Sequence, residues 1–362
     1  MFNGDRLALA RKRKGLTKTA LATQAGITTR ALNAFENNEY APSGETEQKL
    51  AEVLGFPPAF FTRHTLDELS EKGVSFRSLK RMTAAQRNTA LAAGSFAIEI
   101  SRWLNQRFDL PTPDVPNLAG EAPADAAQIL RQEWGLGQLS ISNVIHLVES
   151  KGVRVFSLFE NCEEVDAFSL WHSGQPYIFS NRIKTSAHRR FDIAHELGHL
   201  VLHRHGAPTG PLAEREADQF AASFLMPPDT VKAAVPYFVD VDVLIRLKAK
   251  WMVSVSALAR RLKDTGMISE WTYRSLCIEI SQKGFRKSEP NDYPHETSRI
   301  WEKVSSLLRS EGKGVIEIAD QLDLPSDEVE KLLWGLTTLG LTSTTGPRVP
   351  TNPKGNLRLV EN

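Results

Sequence analysis

Cysteine is scarce: Cys162 and Cys277 are the only two in 362 residues. That count excludes a small fold framed by disulfides and points to a reducing compartment, so the cytoplasm is the expected location. Long apolar runs are missing too, and the N-terminus does not read as a secretory leader, so neither a membrane span nor export is expected. Net charge is nearly absent, with 44 basic against 43 acidic residues giving +1, so any nucleic-acid footprint has to be local. What remains is ordinary for a soluble protein: 41% hydrophobic and 24% charged residues, enough to bury a substantial core, and a length that suggests two or three domains.

One stretch dominates the chemistry. Residues 191–203 read FDIAHELGHLVLH and hold His195, Glu196 and His199 in the order His-Glu-x-x-His. Positions i and i+4 of a helix lie one above the other, so both imidazoles can converge on one zinc ion, with Glu196 beside the water that the ion polarises. Phe191, Ala194, Leu197, Val201 and Leu202 recur at helical spacing and supply an apolar face, while Gly198 leaves room for close packing. A third ligand is needed. His205 stands ten residues after His195, as in the metzincin pattern, but that pattern also requires glycine where this chain has Leu202. Downstream, Glu214 and Asp218 lie four apart at the start of a second apolar-periodic run that Pro227 and Pro228 stop. One of these two carboxylates can bind zinc while the other orients a ligand histidine; Glu216 points elsewhere. His203, one turn past His199, reads as a packing or supporting residue.

The segments RFDIAHELGHLVLH and EREADQFAASFLMP together resemble the ImmA/IrrE family of zinc metallopeptidases. The resemblance implies a gluzincin-like core, with zinc held by His195, His199 and an acidic residue of the second helix, and with Glu196 as general base. Counted back from Leu225-Met226-Pro227, the family's acidic ligand maps to Glu214, which leaves Asp218, by the spacing above, as the carboxylate that orients a ligand histidine. Members of the family cleave repressors that carry Xre-type DNA-binding domains.

That lends interest to residues 1–66, which read as five short helices. Between Met1 and Arg30 stand seven cations (Arg6, Arg11, Lys12, Arg13, Lys14, Lys18, Arg30) against one acid, Asp5, a local +6 expected to face phosphates. The run LARKRKGLTKTALATQAGITTRALNAFENNEYAPS resembles the Xre/Cro-type helix-turn-helix, with Gly15-Leu16-Thr17, Leu21-Ala22, the turn at Gly26 and Pro42-Ser43 in their usual places. Lys18 stands where the family commonly has glutamine. The resemblance implies a recognition helix entering the major groove of double-stranded operator DNA, and the expected contacts are Lys18, Thr28, Thr29, Arg30 and Asn33. Readers of this kind usually face paired half-sites, so a homodimer is expected.

Residues 67–123 are expected to form a helical connector, periodic around 84–108, and then a proline-rich linker; Ser75-Phe76-Arg77 resembles a segment common in fused proteins of the peptidase family. Residues 124–285 form the expected peptidase domain. Its strands at 153–158, 167–171 and 177–180 are read as a small antiparallel sheet, one edge of which can pair with an extended peptide, and helices follow from 241 onwards. His172 and Tyr177 fall near strand ends, within possible reach of a substrate. Residues 286–346 resemble a helix-turn-helix or winged-helix unit, and 347–362 read as a flexible tail. The expected fold class is therefore mainly α with a small β-sheet (α+β). Two functions are in view. One is a DNA-binding regulator carrying a zinc-dependent endopeptidase that cleaves a repressor-type protein, or itself, on a stress signal. The other is a non-catalytic repressor whose zinc domain is structural or sensing. The intact Glu196 favours the first, because a structural zinc site needs no base.

Overall fold

The computed structural model describes residues 1–69, 83–158, 167–181, 184–204 and 210–337. Ser75 to Arg77, Cys162, His205 and the tail from residue 347 lie outside them.

The N-terminal helices begin where the sequence supplies caps. Asn3 accepts from Asp5 N and Arg6 N ahead of α1 (Gly4–Arg13), Thr17 opens α2 (Lys18–Ala25), Thr28 opens α3 (Thr29–Glu36) and Ser43 opens α4 (Gly44–Leu54). Gly26 stops α2 at φ 68°, a left-handed conformation suited to a residue without Cβ. The expected fifth helix is a single 3₁₀ turn, Pro58–Thr62. Leu7, Leu21, Leu32, Leu50 and Phe60 are fully buried between these elements.

A long helix, α5 (Ala84–Asn105), opens with a Thr83/Gln86 capping box and packs along α1. The proline-rich stretch after it is not a free linker. Asp114 N donates to Lys151 O and Leu118 N to Val201 O, both at 2.9 Å, which lays the stretch against the domain that follows.

That domain starts with α6 (Pro123–Glu133) and α7 (Val144–Ser150), then the strands β1 (Arg154–Ser157), β2 (Ala167–His172) and β3 (Gln175–Ser180). The sheet order is β1-β3-β2. β2 and β3 form the expected antiparallel hairpin, turning at Ser173 and Gly174, both at positive φ. β1, however, pairs with β3 in parallel, which corrects the all-antiparallel expectation. Residue alternation marks strands but does not choose their partners, and β1 lies on the far edge of β3 instead of beside its chain neighbour. α8 (Ser186–Leu202) packs on β2 and β3, and α9 (Pro211–Leu225) packs on α8 and α6. Four helices follow: α10 (Pro228–Ala234), α11 (Val241–Leu247), α12 (Val255–Asp264) and α13 (Glu270–Gln282). Arg261 on α12 is buried and donates from Nε to Met226 O, as befits a supporting bundle.

The polar segment after α13 is a strap. Glu289 accepts from Val255 N at the start of α12 (2.8 Å), Asp292 from Ser186 N at the start of α8 (3.0 Å) and Glu296 from Val144 N at the start of α7 (2.9 Å). Each carboxylate meets the positive end of a helix dipole. The strap leads into α14 (Arg299–Ser310), α15 (Ile316–Leu322) and α16 (Ser326–Leu333). No strand occurs among the described residues 299–337, so the winged form of the expectation has no wing there. Instead the three helices join the other parts. α16 packs on β1, Trp301 Nε1 donates to Val155 O (3.4 Å), Arg63 pairs with Asp323 (3.1 Å), and Arg13 of α1 forms a buried ion pair with Glu328 of α16.

Candidate active site and DNA-facing helix

The helix α8 carries His195, Glu196 and His199, all buried, and its neighbour α9 carries Glu214 in its first turn. The two helices approach closely at Gly198, where a Cβ would stand 3.0 Å from the Phe220 ring and 3.3 Å from Ala217 Cα. A larger residue there would require the Phe220 ring or α9 to give way by a few tenths of an ångström, at the contact that sets Glu214 against the histidines.

The ligand-capable atoms of His195, His199 and Glu214 all lie within 4.8 Å of one another. His195 Nε2 is 3.1 Å from His199 Nε2 and 3.3 Å from Glu214 Oε2, and His199 Nε2 is 3.7 Å from Glu214 Oε1. Tetrahedral zinc with bonds of about 2.0–2.1 Å separates its ligand atoms by about 3.3–3.4 Å, so the trio fits such an ion in both spacing and donor chemistry. Its electrostatics point the same way. Burial pushes His195 down, but Asp218, Glu214 and Glu196 outweigh it and hold the imidazole up at about 10. Burial pushes Glu214 up, but the two imidazoles outweigh it and hold the carboxyl down at about 2. The surroundings of the trio thus favour positive charge between the three side chains.

Around the trio, Asp218 Oδ1 lies 2.8 Å from His195 Nδ1, the ring nitrogen turned away from the trio. His199 Nδ1 lies 2.8 Å from His203 Nδ1, and His203 Nε2 lies 2.9 Å from Glu216 Oε2. Glu216 thus sits on His203 and outside the trio. Glu196 is held from the sheet side: Ser169 Oγ on β2 donates to its Oε2 at 2.6 Å. Ser169 escaped sequence reasoning, since a lone serine in a strand carries no motif. A cleft of about 510 Å³ opens beside His195 and Glu196, walled by Asp218 on α9, by Ser256 and Arg260 on α12, and by Ala167 at the start of β2. His172 and Tyr177 are absent from it. His172 Nε2 is 2.9 Å from Asp67 and Tyr177 is buried beside Arg154, so both belong to the junction with the N-terminal part.

On the N-terminal part, Thr28 and Arg30 are exposed at the start of α3 and Thr29 is half-buried. Lys18 and Asn33 face each other, Nζ to Oδ1 at 2.7 Å, and Lys18 also pairs with Glu36 (3.2 Å). The expected run of phosphate-facing cations is largely spent inside the protein. Arg6 pairs with Glu99 (3.0 Å), Arg11 with Glu36 (2.6 Å), Lys12 with Glu68, and Arg13 and Lys14 with Glu328. Of the seven, Arg30 makes no ion pair among the described residues.

A helix-turn-helix DNA-binding domain is joined to a metallopeptidase-type domain, the make-up of a regulator with a peptidase-like domain. Residues 7–61 match the family model described as helix-turn-helix, and residues 148–263 match the IrrE N-terminal-like domain of peptidase family M78. The chain is thus a fusion of an Xre-type reader with an ImmA/IrrE-like unit. No curated protein matches it. No helix among the described residues is long and apolar enough to cross a membrane.

Proposed function

We propose that this protein is an operator-binding regulator whose peptidase domain is a zinc-dependent endopeptidase, acting on a repressor-type protein or on its own chain when a stress signal arrives. His195, His199 and Glu214 hold the ion, and Asp218 orients His195. Zinc held there would supply Lewis-acid chemistry, lowering the pKa of a water and polarising the scissile carbonyl. Glu196 takes the proton of the attacking water and returns it to the departing amine. Ser169 holds the Glu196 carboxylate while this happens. The peptide lies extended along the edge strand β2, whose first residue, Ala167, lines the cleft. Lys18, Thr28, Thr29, Arg30 and Asn33 form the DNA-facing set, in a cytoplasmic homodimer that reads paired half-sites.

The observation that carries this reading is the donor set. Two histidines and one glutamate would give zinc three protein ligands, the number that a catalytic site uses, and the buried carboxylate of Glu196 lines the same cleft as His195. The test incubates the zinc-loaded full chain with itself and with an unselected peptide library, with and without duplex DNA, and follows chain masses. Wild type should cut, and Glu196→Gln should bind zinc equally yet lose about 10²–10⁴ of the rate. A zinc-loaded wild type that cuts nothing under any of these conditions would favour a sensing domain without turnover.

A further inference from the structure

We propose that His203 and Glu216 form an orienting relay for His199, a second support for the metal centre that runs on the opposite side from Asp218. The proposal rests on the reading of His195, His199 and Glu214 as metal ligands.

His199 turns Nε2 towards His195 and Glu214. A nitrogen that gives its lone pair to a cation leaves the ring proton on the other nitrogen. Nδ1 of His199 must then donate, and the acceptor at 2.8 Å is Nδ1 of His203. An imidazole that accepts at Nδ1 carries its own proton on Nε2, and His203 Nε2 faces Glu216 Oε2 at 2.9 Å. The polarity of the whole chain therefore follows from the one lone pair at the metal. The His203 side chain is 8% exposed, so water does not readily replace it.

The geometry also explains an asymmetry. Asp218 sits on α9 one turn after Glu214 and reaches His195 directly. His199 lies one turn further along α8, and on its Nδ1 side the carboxylate of α9 that connects to it is Glu216, through His203. His203, at the C-terminal end of α8, bridges the gap. Each ligand histidine is thereby tied to a carboxylate of α9, the helix that also supplies the third ligand, and the α8–α9 contact becomes part of the centre. His203 is a positioning residue that acts through His199.

The test measures the zinc dissociation constant of the full chain by competition with a chromophoric chelator, together with the cobalt(II) visible spectrum. His203→Leu, which fills the space without the hydrogen bonds, should weaken zinc about 10–100-fold and change the cobalt bands. His203→Gln can accept from His199 through Oε1 and donate to Glu216 through its amide nitrogen, so it should recover most of the affinity and the wild-type spectrum. Glu216→Ala should fall between them. A His203→Leu chain that folds and binds zinc within about twofold of wild type overturns the relay, as does a folded His203→Gln chain no better than His203→Leu. If His203→Leu does not fold, Glu216→Ala decides: unchanged zinc affinity overturns the relay. Wild type that binds no zinc overturns the metal centre itself and the relay with it. Wild type that binds zinc but cuts no peptide leaves the relay standing and removes the proposed activity.

Discussion

At the α8–α9 contact, three buried side chains from two helices face one another across 4.8 Å or less, arranged so that positive charge is welcome between them. Along α1 and α2, six cations from the sequence's most basic stretch each meet a carboxylate of the same chain, and Arg13 meets Glu328 more than three hundred positions away. The first region spends its charge on something from outside. The second spends most of it on ion pairs within the protein, and Arg6 with Glu99 and Arg13 and Lys14 with Glu328 hold its parts to one another. A count of charges in the sequence does not distinguish the two. What distinguishes them is whether the fold delivers counter-charges, and α5 and α16 deliver them to the N-terminal helices.

The Arg13–Glu328 pair gives the largest effect by which to break this comparison. Its side chains are 4% and 2% exposed, and Lys14 lies 3.4 Å from the same carboxylate. Removing one partner of a buried pair leaves the other charge in a dry place, typically at a cost of about 3–5 kcal/mol. Glu328→Ala should therefore lower stability in urea by about that much. Replacing both residues by apolar ones of similar size should recover a good part of it. A loss under about 1 kcal/mol from Glu328→Ala would mean that the pair is wet, and that Arg13 is available to phosphates after all.

How much of this was legible before the fold was known follows from the range of each signal. That His195 and His199 share one face was legible because a helix converts spacing into direction, whereas the residues alone left Glu214 and Asp218 both open and the choice of Glu214 came from the family resemblance. Caps such as Thr17 and Thr28, hydroxyl residues just ahead of a helix, are signals of the same local kind. The parallel pairing of β1 was not legible, because it is chosen by contacts beyond the strand itself. Nor was the strap: Glu289, Asp292 and Glu296 look like solvated acids in a polar segment, and only the fold brings three helix starts to them. Ser169 and Glu68 were hidden likewise, each with its partner far away in the chain.

A third disposal of charge lies at the junction of α7 and α14, and it sharpens the comparison through pH. Glu149 is buried and accepts from Ser298 Oγ, Arg299 N (3.0 Å) and Ile300 N (3.3 Å). Burial outweighs these donors and pushes its carboxyl from 4.5 up to about 7. Below pH 4.5 folded and unfolded chains both hold the proton. Between 4.5 and 7 only the folded chain holds it, so stability falls as pH rises, and above about 7 that contribution is gone. The shift corresponds to something on the order of 3 kcal/mol. Urea unfolding at a series of pH values should show this decline in wild type and a flatter profile in Glu149→Gln. Parallel profiles would mean that the start of α14 keeps Glu149 ionised.

The smallest effect concerns DNA, and it sets a paired cation against one that makes no ion pair among the described residues. If the cations committed to carboxylates are structural, they contribute little to counterion release, and the salt dependence of binding falls short of what +6 suggests. Arg30, exposed at the start of α3, and Lys12, held by Glu68, make the test direct. On a duplex selected by wild type from a random pool, Arg30→Ala should weaken binding by about 1–3 kcal/mol. Lys12→Ala should leave both the affinity and the salt slope near wild type, because the phosphates never had that charge. Equal losses from the two would show that the Lys12–Glu68 pair opens when DNA arrives, and that the basic stretch is a reservoir that the protein lends to its operator.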